Sequence, residues 1–463
     1  MADLQTSRTF KFKSCSLTDK KNQVHNILPQ SFTFNYSEKI TSPFVVGTLF
    51  IVDGIQLFNK IGFVGGEKVE ITTEDVIQDG TSTEGNTYVM HVWKIANRYV
   101  KDKKSHYTLA LVSKEALINE AKRVSIPLEG TAEQIIEEQL IRNILGSDKK
   151  FVSDPSQFQM KLLGNRKRPF DIANLLTNKT IPQQKKWGDG SVGKPITSLT
   201  NDEATDKIEG TAGYFFWESY KGYNFYSVDS LCKEDEDRPA WGTYLESQSN
   251  NESGGEQLKI IDVRFKSETD VMTDLRIGKY SNLMVFFNPS SGQYDEYNFD
   301  LEKSYEKMDH LGGADFRIPS GNDMNFKSPS RVLSTILDSE TWFSGPTPGD
   351  PDPEAGSKAP APYADWQKYF AAQSLSRYST LQNQECTVVI PGNSQICAGD
   401  RVKIKLRNKV PDVQANSEPW DRESSGVYLI SEVTHEYDRM KGTSGLFHTT
   451  LRLCRDAYSG DIE

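Results

Sequence analysis

Apolar and polar residues alternate through much of the first hundred positions. Phe32, Phe34 and Tyr36 alternate with Ser31, Thr33 and Asn35, the two-residue period of a half-buried strand. Residues 44–52 are rich in branched and aromatic side chains, and Asp53-Gly54 predicts a hairpin-type turn after them. Val69 and Ile71 share one face of 68–72. Tyr88, Met90, Val92 and Trp93 supply the apolar content of 87–95, and 107–112 closes the series. Five or six short strands at this spacing predict a small antiparallel barrel or sandwich. The period then lengthens. Thr131-Ala132-Glu133-Gln134 fits a capping box, and Ile135, Ile136, Leu140, Ile144 and Leu145 follow at helical spacing until Gly146. A second helix is predicted after Pro169, with Phe170, Ile172, Leu175 and Leu176 as its apolar set.

The middle of the chain is mixed. Residues 214–217 and 223–228 read as a hairpin turning through Lys221-Gly222. Its aromatic density, with Trp217 at the centre, suits a ligand face or a sheet covered by its neighbours. The covered sheet is the commoner case. Residues 233–257 are acidic and rich in Ser, Asn and Gly, which predicts an exposed loop. Residues 258–265 and 283–287 read as strands, and 301–308 as a short helix. Six prolines between 345 and 362 forbid a helix or central strand there and predict an extended arm. A helix resumes near Asp365, with Trp366, Tyr369, Phe370, Gln373 and Leu375. The β pattern then returns, with strands at 386–390, 402–406, 427–433 and 446–453 and turns at Pro391-Gly392-Asn393 and Gly399-Asp400. Val402, Ile404 and Leu406 alternate with Arg401, Lys403, Lys405 and Arg407, a strand with one greasy and one cationic face. Such a row could face solvent, pair with acids of a neighbouring subunit, or line a channel.

Composition narrows the function. With 463 residues, 36% hydrophobic and 25% charged, the chain has material for several cores. The net charge of −10 argues against a nucleic-acid binder held by a broad basic face. The longest mainly apolar stretch, 44–52, has nine residues, too few to span a bilayer, so no membrane association is expected. The first thirteen residues show no apolar core of a secretory signal. Five widely spaced cysteines (15, 232, 386, 397, 454) suggest reduced thiols rather than a disulfide framework, although Cys386 and Cys397 flank a turn and could approach. The six histidines form no HxH or HExxH spacing, and no nucleophile elbow or phosphate loop is present. Gly62–Gly66 reads as a loop turning a hairpin. Asp189, Asn201, Asp202 and Asp206 could in principle bind calcium but do not fit an EF-hand loop, and Glu234–Asp237 reads as a solvated charge run. The cluster of Lys161, Arg166, Lys167 and Arg168 suits a protein partner or solvent. These residues call for no metal, no cofactor and no catalytic group.

The C-terminal segments RYSTLQNQECTVVIPGNSQICAGDRVKIKL, SGVYLISEVTHEYD and FHTTLRLCRDAY resemble the last barrel of baseplate hub proteins from contractile-tailed phages. SEKITSPFVVGTLFIVDG, VGGEKVEI and YTLALVSKEALIN are similar to the first hub barrel. RPFDIANLLT and GTAGYFFWESYKGYNFYSVDSL are similar to the helix and hairpin between the barrels. The resemblance implies a β-rich α+β fold, with two small antiparallel tube-type β-barrels bracketing a mixed α/β insert. It divides the chain into a first barrel (1–115), a helix-plus-hairpin insert (116–230), a mixed β insert (231–344), a Pro-rich arm (345–364) and a second barrel (365–463).

Functionally, the resemblance implies a non-enzymatic homotrimer. Two barrels per subunit would present six in a pseudo-sixfold ring, joining a hexameric tail tube or tube initiator to a trimeric central spike. Baseplate wedge proteins are further implied partners. DNA would cross the channel without specific binding. The site would be the tail baseplate of a virion assembled in the host bacterial cytoplasm. Arg401, Lys403, Lys405, Arg407 and Trp217 are the expected subunit or partner contacts. A β-rich glycan-binding module, the hub of a related bacterial injection particle, and a cell-wall hydrolase are the alternatives.

Overall fold

The computed structural model describes residues 9–76, 82–156, 159–182, 212–233, 239–246, 258–266, 270–288, 293–305, 308–312, 328–336, 342–344, 361–362, 373–408, 420–439 and 445–458. Of the predicted exposed loop, 234–238 and 247–257 lie outside these residues, while Trp241–Leu245 is a paired strand with Tyr244 buried rather than loop. The Pro-rich arm up to 360, the carboxylates at 189–206 and the start of the helix near 365 also lie outside them.

The N-terminal strands are β1 (Thr9–Thr18), β2 (Val24–Asn26), β3 (Ser31–Lys39), β4 (Val46–Asp53), β5 (Lys68–Val76), β6 (Ser82–Lys101) and β7 (Lys104–Val112). Two local predictions need correction. Asp53-Gly54 does not turn a hairpin, because the Asp53 carboxylate accepts hydrogen bonds from the N–H groups of Ile55, Leu57 and Phe58 and starts a short helix, Leu57–Ile61. The Gly62–Gly66 loop therefore follows a helix, and β4 pairs with β3 and β7 rather than with β5. The strand read at 87–95 is also far longer than its alternating core.

The middle contributes β8 (Pro127–Thr131), β9 (Phe151–Ser153), β10 (Gln159–Leu163), β11 (Tyr214–Ser219), β12 (Gly222–Ser227), β13 (Trp241–Leu245), β14 (Asp262–Phe265), β15 (Ser281–Asn288), β16 (Gln293–Asp300), β17 (Arg331–Ile336), β18 (Trp342–Ser344) and β19 (Ala361–Pro362). The predicted capping box starts the helix at 132, where Gln134 Oε1 accepts from the Thr131 N–H at 3.1 Å. From Ile135 to Leu145 this helix is wound with π geometry, and Gly146 ends it with φ +65°. It packs with helix Pro169–Thr177 and the β11–β12 hairpin in one apolar cluster.

The C-terminal strands are β20 (Gln384–Pro391), β21 (Arg401–Lys405), β22 (Gly426–Asp438) and β23 (Leu446–Arg455). Among the described residues thirteen strands form one continuous sheet, and its pairings close on themselves twice. One circuit runs β1–β5–β6–β7–β4–β3–β22–β23 and returns to β1 through Thr9 and Leu446. The other runs β22–β21–β13, crosses from Leu245 to Lys259 and Ile260, and returns through β14, β20 and β23. The β22–β23 hairpin belongs to both.

A β-bulge explains how one strand serves two interiors. The register of β22 against β23 shifts between Ile430 and Glu432. Before the shift the positions facing these cores are Tyr428 and Ile430; after it they are Val433, His435 and Tyr437. The inserted residue reverses which positions point inward, so the alternation changes phase. Tyr437 and Phe447 then join the core of the first circuit, with Phe34, Tyr88 and Met90. Tyr428, Ile430, Leu451 and Leu453 join that of the second. Both interiors are filled by side chains, as in small barrels, so neither circuit is itself a pore.

Candidate functional site

The two circuits and the β11–β12 hairpin meet around Trp217. Its indole is 2% exposed and lies against Gly399, where φ is +89°. A Cβ at 399 would come within 2.3 Å of Trp217 Cζ2. The predicted Gly399-Asp400 turn thus needs glycine twice, for its left-handed backbone and for the ring. The Trp217 Nε1–H donates to the Ala398 carbonyl at 3.0 Å. The Ala398 N–H donates in turn to Glu38 Oε2 at 2.9 Å.

Glu38 ties three elements together. Its Oε1 accepts from the Tyr36 hydroxyl at 3.1 Å and from the Tyr220 N–H. Burial pushes its carboxyl up to about 7, against the pull of these donors. Beside it, Asp400 Oδ2 accepts from the Cys397 N–H at 3.0 Å and the Trp241 Nε1–H at 2.8 Å, with Lys221 Nζ 3.9 Å away. Glu38 was readable in the sequence as the odd member of the inward series Phe34, Tyr36, Glu38.

Trp217 is therefore part of the monomer's interior. Tyr214, Phe216, Tyr223 and Phe225 are buried as well, so the aromatic hairpin is largely a covered sheet. The cationic row is also less uniform than its alternation predicts. Val402, Ile404 and Leu406 are buried as expected, but so is Arg401, whose guanidinium donates to the Lys233 carbonyl. Lys403 and Lys405 are half-buried opposite Thr243 and Leu245 of β13. Arg407 Nε donates to the Glu246 carbonyl at 3.3 Å, and its guanidinium lies 5.7 Å from the Trp420 ring centroid. In the other basic cluster, Lys161 pairs with Glu129 at 3.0 Å and Arg168 with Glu120 at 2.8 Å.

Further buried charges hold the insert to the sheet. Lys149 bridges Glu115 at 2.6 Å and Glu218 at 2.5 Å, and Glu218 Oε2 accepts from the Val45 N–H at 3.2 Å. Arg377, on a helix over 373–381, pairs with Asp229 at 3.3 Å and Asp456 at 3.2 Å. Each partner comes from a different segment, so losing one strands a buried charge. Burial pulls His435 down to about 4, so this ring is neutral between Thr449 Oγ1 and the Ile396 carbonyl, each 3.2 Å away. These groups position structural elements.

A cavity of about 470 Å³ opens between helix Pro169–Thr177, β11, helix 373–381 and the ends of β3 and β23. Ile40, Phe215, Tyr378 and Leu381 line it, with Lys39, Lys266, Glu385 and Arg452 among its polar groups. Lys266 pairs with Glu385, and Arg452 with Glu432 at 2.9 Å. All five cysteines are buried free thiols, so Cys386 and Cys397 are not joined. Among the described residues no three His, Cys, Asp or Glu side chains cluster as a metal site, and no helix is long and apolar enough to cross a membrane.

No family model and no curated protein matches the sequence. Solved structures do. The tail protein from Neisseria meningitidis MC58 is 11% identical, with 97% of each chain covered and a TM-score of 0.50. The 43 kDa tail protein of prophage MuSo2 from Shewanella oneidensis is 8% identical, with 96% of this chain and 99% of that one covered and a TM-score of 0.46. A type VI secretion component from E. coli, described as similar to the T4 tail proteins gp27 and gp5, is 11% identical over 98% of this chain and 79% of its own, with a TM-score of 0.38. The whole-chain likeness to the Neisseria protein shows that this chain shares the fold of that tail protein.

Proposed function

We propose that the chain is a structural, non-enzymatic baseplate hub of a contractile tail. Three copies form a ring in which two barrel-like units per subunit imitate sixfold symmetry. One face of the ring meets the tail tube or its initiator, the other a trimeric spike, and wedge proteins surround it. DNA passes through the central channel between subunits. The observation that carries this reading is the double closure of one sheet around the shared β22–β23 hairpin. That hairpin sets two filled β units side by side in one chain, although they differ in size, with eight strands in one circuit and six segments in the other. The net charge of −10 suits a passage that must not hold phosphate. Arg401, Lys403, Lys405 and Arg407 lie on the second unit, and in this reading Lys403 and Lys405 contribute to contacts beyond the chain. Trp217 acts indirectly, by packing the β11–β12 hairpin against the Gly399-Asp400 turn.

Light scattering during size-exclusion chromatography tests the proposal. The expected mass is three times the 52.2 kDa of one chain, alone or on mixing with the spike. A strict monomer under both conditions would overturn it.

A further inference from the structure

Strand β6 runs past its neighbour. It pairs with β5 only up to His91, and the loop before β5 adds two bonds at Val92. From Trp93 to Lys101 it pairs with β7 on one side, while the other edge meets no strand among the described residues. Exposed edges are usually blunted, and here the register shifts at Val92/Lys94 and Ala96/Tyr99 partly do so. Yet Trp93, Tyr99 and Val100 stand 53%, 49% and 69% exposed on this edge. The segment 93–104 also carries five cations (Lys94, Arg98, Lys101, Lys103 and Lys104) and one acid, Asp102. Within a chain of net charge −10, it is a local basic edge with an apolar face.

A second edge has the opposite character. Strand β16 pairs with β15 along its whole length, and its other edge meets no strand among the described residues. The segment 293–302 holds four acids and no cation. Glu296, Tyr294 and Glu302 are exposed. Among the described residues neither edge satisfies the other within one chain, since there β6 pairs with β5 and β7, and β16 with β15.

We propose that the acidic β16 edge of one copy docks on the basic β6 edge of the next, extending the sheet between subunits. The contact is heterologous, because two β6 edges repel one another as do two β16 edges. A head-to-tail contact of this kind closes into a ring when its rotation permits. Backbone hydrogen bonds would supply sequence-independent affinity, and the opposed charges would set partner and direction. The proposal rests on the hub reading for ring closure, but names its own contact.

Three variants test it: a basic-edge reversal (Lys94→Glu, Lys101→Glu, Lys103→Glu), an acidic-edge reversal (Glu296→Lys, Glu302→Lys), and both reversals in one chain. All substituted positions are exposed, and matching circular dichroism and melting curves confirm that each variant folds. Light scattering should show the wild type as a trimer. Each single-edge variant should dissociate at least tenfold more readily, and the double reversal should recover assembly. A carbodiimide, which joins an amine to a carboxylate without a spacer, should link Lys94, Lys101 or Lys103 to Glu296 or Glu302 between isotope-labelled and unlabelled wild-type chains. A wild-type trimer that both single-edge variants leave intact would overturn the edge contact while sparing the hub. A wild type that never assembles would overturn both.

Discussion

Replacing Trp217 with alanine separates a core residue from a ligand-binding one. The side chain is essentially buried, lies against Gly399 and donates to the Ala398 carbonyl. Truncating a buried tryptophan costs about 3–5 kcal/mol, and stranding a buried carbonyl adds about 1 kcal/mol or more. Trp217→Phe keeps most of the ring and should cost only about 1–2 kcal/mol. Gly399→Ala alone should cost about 2–5 kcal/mol, from left-handed strain and overpacking against the indole. Once Trp217 is alanine, the added methyl has room, and only the strain of about 1–2 kcal/mol should remain. The two substitutions should therefore be non-additive by at least 1 kcal/mol in a double-mutant cycle measured by urea denaturation and circular dichroism. Additivity within about 0.5 kcal/mol would refute the contact. Lost glycan binding by a Trp217→Ala protein of unchanged stability would favour the ligand-face alternative.

Other expectations follow from the same joint and its neighbours. Glu38 is held up to about 7 when folded, above its value of 4.5 when exposed, so between those values the folded chain binds a proton that the unfolded chain has released. Stability should be greatest with respect to this group below pH 4.5, fall by about 3 kcal/mol as pH rises, and level off above 7; Glu38→Gln should flatten that slope in denaturation curves across this range. A steeper slope in the variant would contradict the assignment. Gly392→Ala would put a Cβ 2.0 Å from Phe447 Cδ1, and that ring is already stacked 4.3 Å from Tyr437, so a loss of about 1–3 kcal/mol is expected in thermal unfolding. A change under about 0.5 kcal/mol would show that the turn yields. All five thiols are buried, so an aromatic disulfide reagent should titrate none quickly in the native protein and all five in concentrated guanidinium. Prompt reaction of any one would place it at the surface.

The sequence made strand content readable wherever one face is buried throughout. Phe34 and Tyr36, or Val402 and Ile404, keep their phase and are buried as their alternation predicts. Other features break that rule for physical reasons. At Ser431 the inward positions change parity, which looks like lost periodicity although the strand continues through a bulge. The double use of the β22–β23 hairpin was hidden for that reason. Beyond Val92, β6 has an exposed outer edge and two register shifts, so its true length left no two-residue signal. At the joint, glycine and turn residues were legible at 399–400, but not the ring they accommodate, which lies 182 positions earlier. Arg401 alternates as a surface cation would, yet a backbone carbonyl from a distant segment receives it inside.

In the proposed hub, two unlike but adjacent β units in each of three chains surround one passage. End-on class averages of the purified assembly by electron cryomicroscopy test it most directly. Such a hub should show six lobes around an open centre, alternating in size because the two circuits differ, and related by a threefold axis. Three undivided lobes, a closed centre or particles with no annulus would contradict it.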